Sequence, residues 1–401
     1  MRIALCNAIY PTPLQPQVLG GAEVFARQLA EGLVESGCEV IVLRAAVDGN
    51  RAVESANGVT VHFLPIRNIF PPFQDKRGPA ARLAWHAIDD RGRAPAGTRE
   101  ILADFQPDVL HSHTLNGLSP DIWRVARGLG IPVVHTLHDY YLICPRCSRF
   151  RGGHACDHPC GACAALTHTR RRRTRDVDAV TSVSRKTLEI HQDSGLFASD
   201  TATHVIHNIA RDTLGVVPEL PFDGRLQIGY IGRFTEEKGI DLLVEAVAQL
   251  PPGRIGLRLA GRATAEDQER LRRLAPDADL TFVGFVDPAD FYASVHVTVV
   301  PSIWDEPAGL TLIDALASGC PVLGTAMGGI PESIEDGVTG WVAAPRADAP
   351  AAVLKRLIAA PAEVKAARDA LIRRQPDRRR LRDLIDEYRS VYDSVRGRRS
   401  A

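Results

Sequence analysis

The chain is expected to fold as two α/β domains, each a doubly wound, mostly parallel sheet covered by helices. Three observations predict this. Its 401 residues exceed what one hydrophobic core usually serves. Short β-rich runs alternate with helical stretches almost throughout. The alternation also restarts near residue 226, after a stretch at 210–225 that carries Pro218, Pro221 and Gly224 and has little periodicity.

In the first series the runs at 2–8, 39–45, 58–65, 108–113, 132–138 and 179–184 read as strands. Between them lie helices such as 21–37, where Val24, Leu29, Leu33 and Val34 form an apolar stripe that stops at Gly37. Val40-Ile41-Val42-Leu43 is apolar on both faces, as a buried parallel strand must be. The second series opens with a strand at 226–231 and a helix at 238–250. Strands at 255–260, 280–284, 296–301 and 321–325 follow, separated by helices at 265–275, 288–294 and 309–318. The stretch 362–396 is helical and Arg-rich. The expected organisation is a first domain over 1–208, a second over 209–375, and a helix at 376–401 that returns to the first.

Apolar residues make up 45% of the chain and charged residues 24%, with a formal net charge of zero. No global field therefore favours nucleic acid or an anionic surface. Met1 to Asn7 has one basic residue and a short apolar run, which suits a first buried strand better than a secretory signal. No apolar run approaches the ~20 residues of a membrane-spanning helix. The expected location is the cytoplasm, or the inner face of the membrane as a peripheral protein. In that reducing compartment the eight cysteines are not expected to be a disulfide framework.

Two motifs carry chemistry. Trp304-Asp305-Glu306-Pro307-Ala308-Gly309-Leu310-Thr311 follows a strand and opens a helix that continues to Gly319. Pro307 forces Glu306 into an extended conformation. Gly309 permits close approach of a ligand, and the first amides of the helix, from Gly309, Leu310 and Thr311, suit a phosphate. Asp314 lies eight residues after Glu306, where a carboxylate can accept hydrogen bonds from ribose hydroxyls. The second motif, Gly229-Tyr230-Ile231-Gly232-Arg233-Phe234-Thr235-Glu236-Glu237-Lys238-Gly239, links a strand to a helix. Arg233 and Lys238 can converge on a diphosphate, Arg as a bidentate fork and Lys as a point charge. Lys238 is one of only five lysines, in a chain where arginine otherwise supplies the positive charge.

Together these motifs resemble the E-x7-E and G-R-x4-K-G signatures of the retaining glycosyltransferases of family 4 (GT4). Those enzymes have the GT-B fold, two Rossmann-like domains facing across a cleft. The resemblance implies transfer of a hexose from a nucleoside diphosphate sugar, most readily a UDP- or GDP-sugar, to an acceptor hydroxyl. It implies retention of anomeric configuration and no catalytic metal. Glu306 would touch the donor sugar, and Asp314 the ribose. Arg233, Lys238, Gly309, Leu310 and Thr311 would hold the diphosphate. Gly20-Gly21 resembles the family's glycine pair before the first helix, which faces the diphosphate and the acceptor. His138 would contact a donor-sugar hydroxyl, although a satisfied strand-end histidine is an equal reading of that position. Gly232 would lie on the donor side, with Phe285 near the base, and Tyr140 and Tyr141 on the acceptor side. Asn208 matches the family's asparagine at the domain junction, and Gly328-Gly329 its helix start after the strand at 321–325. Two positions depart from the pattern. Asp314 stands where the family has Glu, about 1.5 Å shorter in reach, and His296 stands where an acid is common.

The segment after His138 carries Cys144, Cys147, Cys156, Cys160 and Cys163. The Cys-x2-Cys pairs suit a structural zinc site; an iron–sulfur cluster and plain thiols are the alternatives. Similar cysteine-bearing insertions occur in a subset of the family. Arg170-Arg171-Arg172-Arg173 then reads as a solvated face, or as a patch for anionic lipid or a phosphorylated acceptor. A nucleic-acid module is disfavoured by the neutral charge and the lack of interleaved aromatics. The expected partners are a nucleotide sugar and a small-molecule or lipid-linked acceptor. A nucleotide-sugar epimerase, or a non-catalytic binding protein on the same fold, remains as an alternative. Base, sugar, acceptor and oligomeric state are open in the sequence.

Overall fold

The computed structural model describes all residues except 17–19, 47, 73–77 and 401, and gives no side-chain surroundings for 398–400. The chain divides into two compact units, 1–149 with 157–207 and 381–401, and 150–156 with 208–380. The boundary thus falls beside residue 208, and the last helix clusters with the first unit.

The N-terminal unit is built on β1 (Arg2–Cys6), β2 (Glu39–Ala46), β3 (Ala52–Ala56), β4 (Val59–Pro65), β5 (Val109–Ser112) and β6 (Val133–Leu137). A two-stranded hairpin, β7 (Phe150–Arg151) and β8 (His154–Ala155), comes next and clusters with the other unit. β9 (Ala179–Ser182) and β10 (Ala202–Val205) complete the first sheet, in the order β10-β9-β6-β5-β1-β2-β4-β3. All its pairings are parallel except β3 with β4. β3 is a strand beyond those expected from the sequence, between the ones at 39–45 and 58–65. Asn57 and Gly58 both have positive φ, +50° and +77°, the pattern of a type I′ turn between antiparallel strands. β1, β2, β5, β6 and β9 are almost wholly buried, as expected of strands covered on both faces. The final helix, Leu381–Ser400, lies on the helix Gly21–Glu35. Gly32 lets them meet closely, since a Cβ there would sit 2.9 Å from Ile385.

The C-terminal unit carries β11 (Leu226–Ile231), β12 (Ile255–Ala260), β13 (Asp279–Gly284), β14 (Val297–Val300), β15 (Val322–Thr325) and β16 (Gly340–Ala343). Their order, β13-β12-β11-β14-β15-β16, is fully parallel. β11 and β14 are adjacent although two strands and three helices separate them in sequence. That crossover is the switch point at which an open α/β sheet receives ligands at its carboxyl edge. The helical stretch expected over 362–396 comprises two helices, Pro361–Arg373 and Leu381–Ser400, divided at Gln375-Pro376-Asp377, where proline cannot continue a helix. No described helix is long and apolar enough to cross a membrane.

Candidate active site

In the C-terminal unit β14 delivers the chain through Pro301 and Ser302 to Glu306, and the helix Leu310–Ala317 begins four residues later. Gly309, its N-cap, has φ +60° and ψ +87°, which non-glycine residues rarely adopt. The amides that open the helix have no carbonyl within it to bond. A second loop fixes this one from behind. Gly328 has φ +56°, and a Cβ there would meet the Glu306 backbone oxygen at 2.2 Å, while the Gly329 amide donates to that oxygen at 2.7 Å.

Glu306 is buried and ionised. Its Oε2 accepts hydrogen bonds from Lys238 Nζ at 2.6 Å, Ser302 Oγ at 3.0 Å and Trp304 Nε1 at 3.0 Å. Burial alone would raise its pKa, but the Lys238 charge and these three donors overcome that and hold it below the usual value. All three bonds go to Oε2 and none to Oε1. Lys238, reached from β11, also lies 5.1 Å from the centroid of the Trp304 ring. Its ammonium has three protons, of which Glu306 uses one. Neither Ser302 nor Trp304 was assigned a role from the sequence; their places four and two residues before Glu306 were the available signal.

Arg233, the other expected phosphate ligand, is largely exposed, and its guanidinium lies 3.6 Å from Glu237. Phe285, next to the tip of β13, is 85% exposed. Gly232 donates its amide to Ala260 and so ties the end of β11 to β12.

Asp314 is fully buried and turned towards the linker. Its Oδ1 accepts the Arg211 backbone amide at 3.1 Å, and Oδ2 lies 3.2 Å from the Arg211 guanidinium. Burial, against the opposing pull of Arg211, raises its pKa above the ordinary value. The expected linker is thus strapped down. Arg378 donates to the carbonyls of Leu214 and Arg211, and Arg368 to those of Val217 and Gly319.

In the N-terminal unit His138 follows β6, half-buried, with Nε2 2.9 Å from His113 Nδ1. Gly20 caps the first helix, its amide donating to Glu23 Oε2 at 2.9 Å, and Gly21 is exposed. Tyr140 and Tyr141, expected on the acceptor side, have buried side chains. Tyr140 stacks on His191 at 5.5 Å, and the Tyr141 hydroxyl donates to Asp89 at 2.8 Å. Both are core residues because the loop folds inward.

The arginine run is likewise not a uniform surface patch. Arg170 is 0% exposed and paired with Asp89 at 3.3 Å and Asp90 at 3.4 Å. It also donates to the Tyr141 carbonyl. Arg171 bonds the Ser194 carbonyl and Arg173 pairs with Asp121, which leaves Arg172 as the exposed member.

None of the eight cysteines forms a disulfide. Cys160 Sγ and Cys163 Sγ are 3.5 Å apart, and Cys163 also hydrogen-bonds Cys144. Cys147 faces Asn116, whose Nδ2 lies 3.6 Å from its sulfur. Among the described residues no group of three or more His, Cys, Asp or Glu side chains is arranged to hold a metal ion.

Comparison with known proteins agrees with this architecture. Residues 19–210 match the model for Glycosyltransferase Family 4, and residues 225–360 that for Glycosyl transferases group 1. An uncharacterized 42.6 kDa protein in the cps region of Klebsiella pneumoniae is 31% identical over 334 residues, 83% of this chain and 87% of that protein. The D-inositol 3-phosphate glycosyltransferase of Mycobacterium leprae is 29% identical, over 83% of this chain and 79% of the enzyme. Among solved structures, sucrose-phosphate synthase from Thermosynechococcus elongatus superposes with a TM-score of 0.73 at 22% identity, covering 98% of each chain. Anabaena HepE, solved in complex with UDP and glucose, gives 0.68 at 18% identity, over 98% of this chain and 99% of that one. These structures share the GT-B fold, and by its sequence matches the chain belongs to the family 4, group 1 glycosyltransferases.

Proposed function

We propose that the protein transfers a hexose from a nucleoside diphosphate sugar to an acceptor hydroxyl with retention of anomeric configuration. The observation that carries this reading is the Lys238–Glu306 pair beside the amides that open the helix Leu310–Ala317. Lys238, those amides and a reoriented Arg233 take the diphosphate, and Glu306 Oε1 accepts from a sugar hydroxyl. Phe285 stacks on the base. Asp314 acts on the ribose side through Arg211, because its carboxylate is buried against the Arg211 amide and guanidinium.

The bond between the anomeric carbon and the phosphate oxygen breaks, and its electron pair leaves with the nucleoside diphosphate. Fixed positive charge stabilises that developing anion. The acceptor oxygen bonds to the same face of the oxocarbenium-like sugar, and a phosphate oxygen on that face takes its proton. No metal is needed at the diphosphate in this scheme. The uridine of the HepE complexes makes UDP-sugars the first donors to try.

The structural zinc suggested by cysteine spacing rests on that spacing, since among the described residues no three such side chains are arranged to hold a metal. Metal analysis of the purified chain tests it. One zinc per chain, lost in Cys163→Ser, supports the accessory site, and a metal-free folded protein removes it.

The reaction is tested by nucleoside diphosphate release with panels of donors and acceptors. Release that requires an acceptor, with a product of unchanged anomeric configuration by NMR, supports the transferase. Interconversion of the donor sugar without any acceptor would identify an epimerase, and inverted product would remove retention.

A further inference from the structure

Four histidines gather where β5 and β6 end in the N-terminal unit. Three have evident roles. His111 bonds the Tyr392 hydroxyl at 2.8 Å and Thr136 Oγ1 at 2.7 Å, using both nitrogens. His135 Nδ1 bonds Ser112 Oγ at 2.9 Å. His138 is the residue the family resemblance assigns to the donor sugar. The fourth, His113, has no part in the reading above.

His113 Nδ1 lies 2.9 Å from His138 Nε2, and its Nε2 is buried with no hydrogen-bond partner. Both rings are neutral. Burial, followed by the neighbouring histidines, pushes His113 well below its usual pKa, and burial takes His138 down to about 3. A neutral imidazole has one N–H and one lone pair, so the single proton in this contact fixes both tautomers together. With the proton on His138 Nε2, His113 would carry its own proton on Nε2, as a buried donor lacking an acceptor. With the proton on His113 Nδ1, the orphan is only a bare lone pair. Buried N–H groups without acceptors are much the rarer case in folded proteins.

We propose that His113 is a positioning residue whose Nδ1–H donates to His138 Nε2 and locks His138 in the tautomer that carries its proton on Nδ1. His138 is the half-buried member of the pair, and Phe25 holds its ring edge-on at 5.0 Å. It then offers a ligand a hydrogen-bond donor and no free lone pair. Resting on the transferase reading, this means that His138 donates to a sugar oxygen and cannot take the acceptor's proton, a task left to the phosphate.

The test is a long-range proton–nitrogen correlation spectrum of the imidazole rings in the 15N-histidine-labelled full chain, without donor or acceptor. His138 peaks are assigned by their loss in His138→Asn. The expected result is protonated Nδ1 and bare Nε2 at His138. His113→Phe, which cannot donate, shifts His138 towards the Nε2–H form, and His113→Asn, whose amide can donate, restores Nδ1–H. Protonated Nε2 at His138 in the unaltered protein overturns the proposal, even if neither variant folds. So does an unchanged tautomer in folded His113→Phe. Because no substrate is present, failure here leaves the transferase reading standing, and failure of the transfer assay leaves the tautomer intact.

Discussion

Glu306 and Lys238 are 68 residues apart, and each was legible in its own motif. Their pairing was not, because it depends on β11 lying beside β14, which no local pattern encodes. Glu306→Gln keeps the shape and the Ser302 and Trp304 neighbours but removes the charge that holds the sugar hydroxyl. Transfer is expected to fall about a hundredfold, the scale of losing one preorganised electrostatic group, with donor affinity little changed. Comparing kcat with donor Kd checks this, and a loss confined to Kd would contradict it. The ionised Glu306 is favoured by folding, so the pair's contribution to stability is present above the ordinary carboxyl pKa of 4.5. It fades as pH falls through the lowered folded value. Asp314 shows the limit of reading by motif. Its position was legible, whereas its partner Arg211 sits in a linker without periodicity. Asp314→Ala is expected to lower stability by about 1–2 kcal/mol in urea unfolding. That is less than the ~3–5 kcal/mol of a wholly buried pair, because Arg211 is 36% exposed and can turn to water.

At the scale of elements, the buried strands and the helices between them followed from periodicity, and the local exceptions had local causes. The β3–β4 hairpin is signalled by Asn57-Gly58, but β3 lies in a polar stretch without the apolar run that marks the buried strands. The Arg170 run was ambiguous because an arginine's partners lie far along the chain, here Asp89 and Asp90. Arg170→Ala leaves two buried carboxylates unpaired and is expected to cost about 3–5 kcal/mol in chemical denaturation, while Arg172→Ala changes nothing measurable. Equal effects would mean the run is a surface feature after all. The loop holding Glu306 makes a second test at this scale. Gly328→Ala adds a methyl group where backbone already stands and demands positive φ. It should lower the melting temperature and weaken donor binding together, through displacement of Glu306.

For the whole molecule, the division into two α/β units was legible in the restarted alternation, although the path of the cysteine segment was not. The units differ in their titratable interiors. In the N-terminal unit His62, His86, His111, His113, His135, His138 and His191 all have pKa values pushed down, in each case chiefly by burial. In the other unit only His296 does among the described residues. Below the ordinary value of 6.5 the unfolded state binds protons that these folded sites refuse. Stability is therefore full above that pH and falls by up to about 1.4 kcal/mol per pH unit for each such histidine as the pH drops towards their folded values. Hydrogen exchange between pH 7 and 5 should show the N-terminal unit losing protection first; simultaneous loss would argue against this. The central claim, that the Lys238–Glu306 site of the C-terminal unit takes the donor's diphosphate, is tested most directly by thermal stabilisation with nucleoside diphosphate sugars. A donor at about 100 times its Kd adds about 2.7 kcal/mol to the folded state and raises the melting temperature of the unaltered protein. The account predicts that Lys238→Ala abolishes that rise while remaining folded, and an undiminished rise in the variant would contradict it.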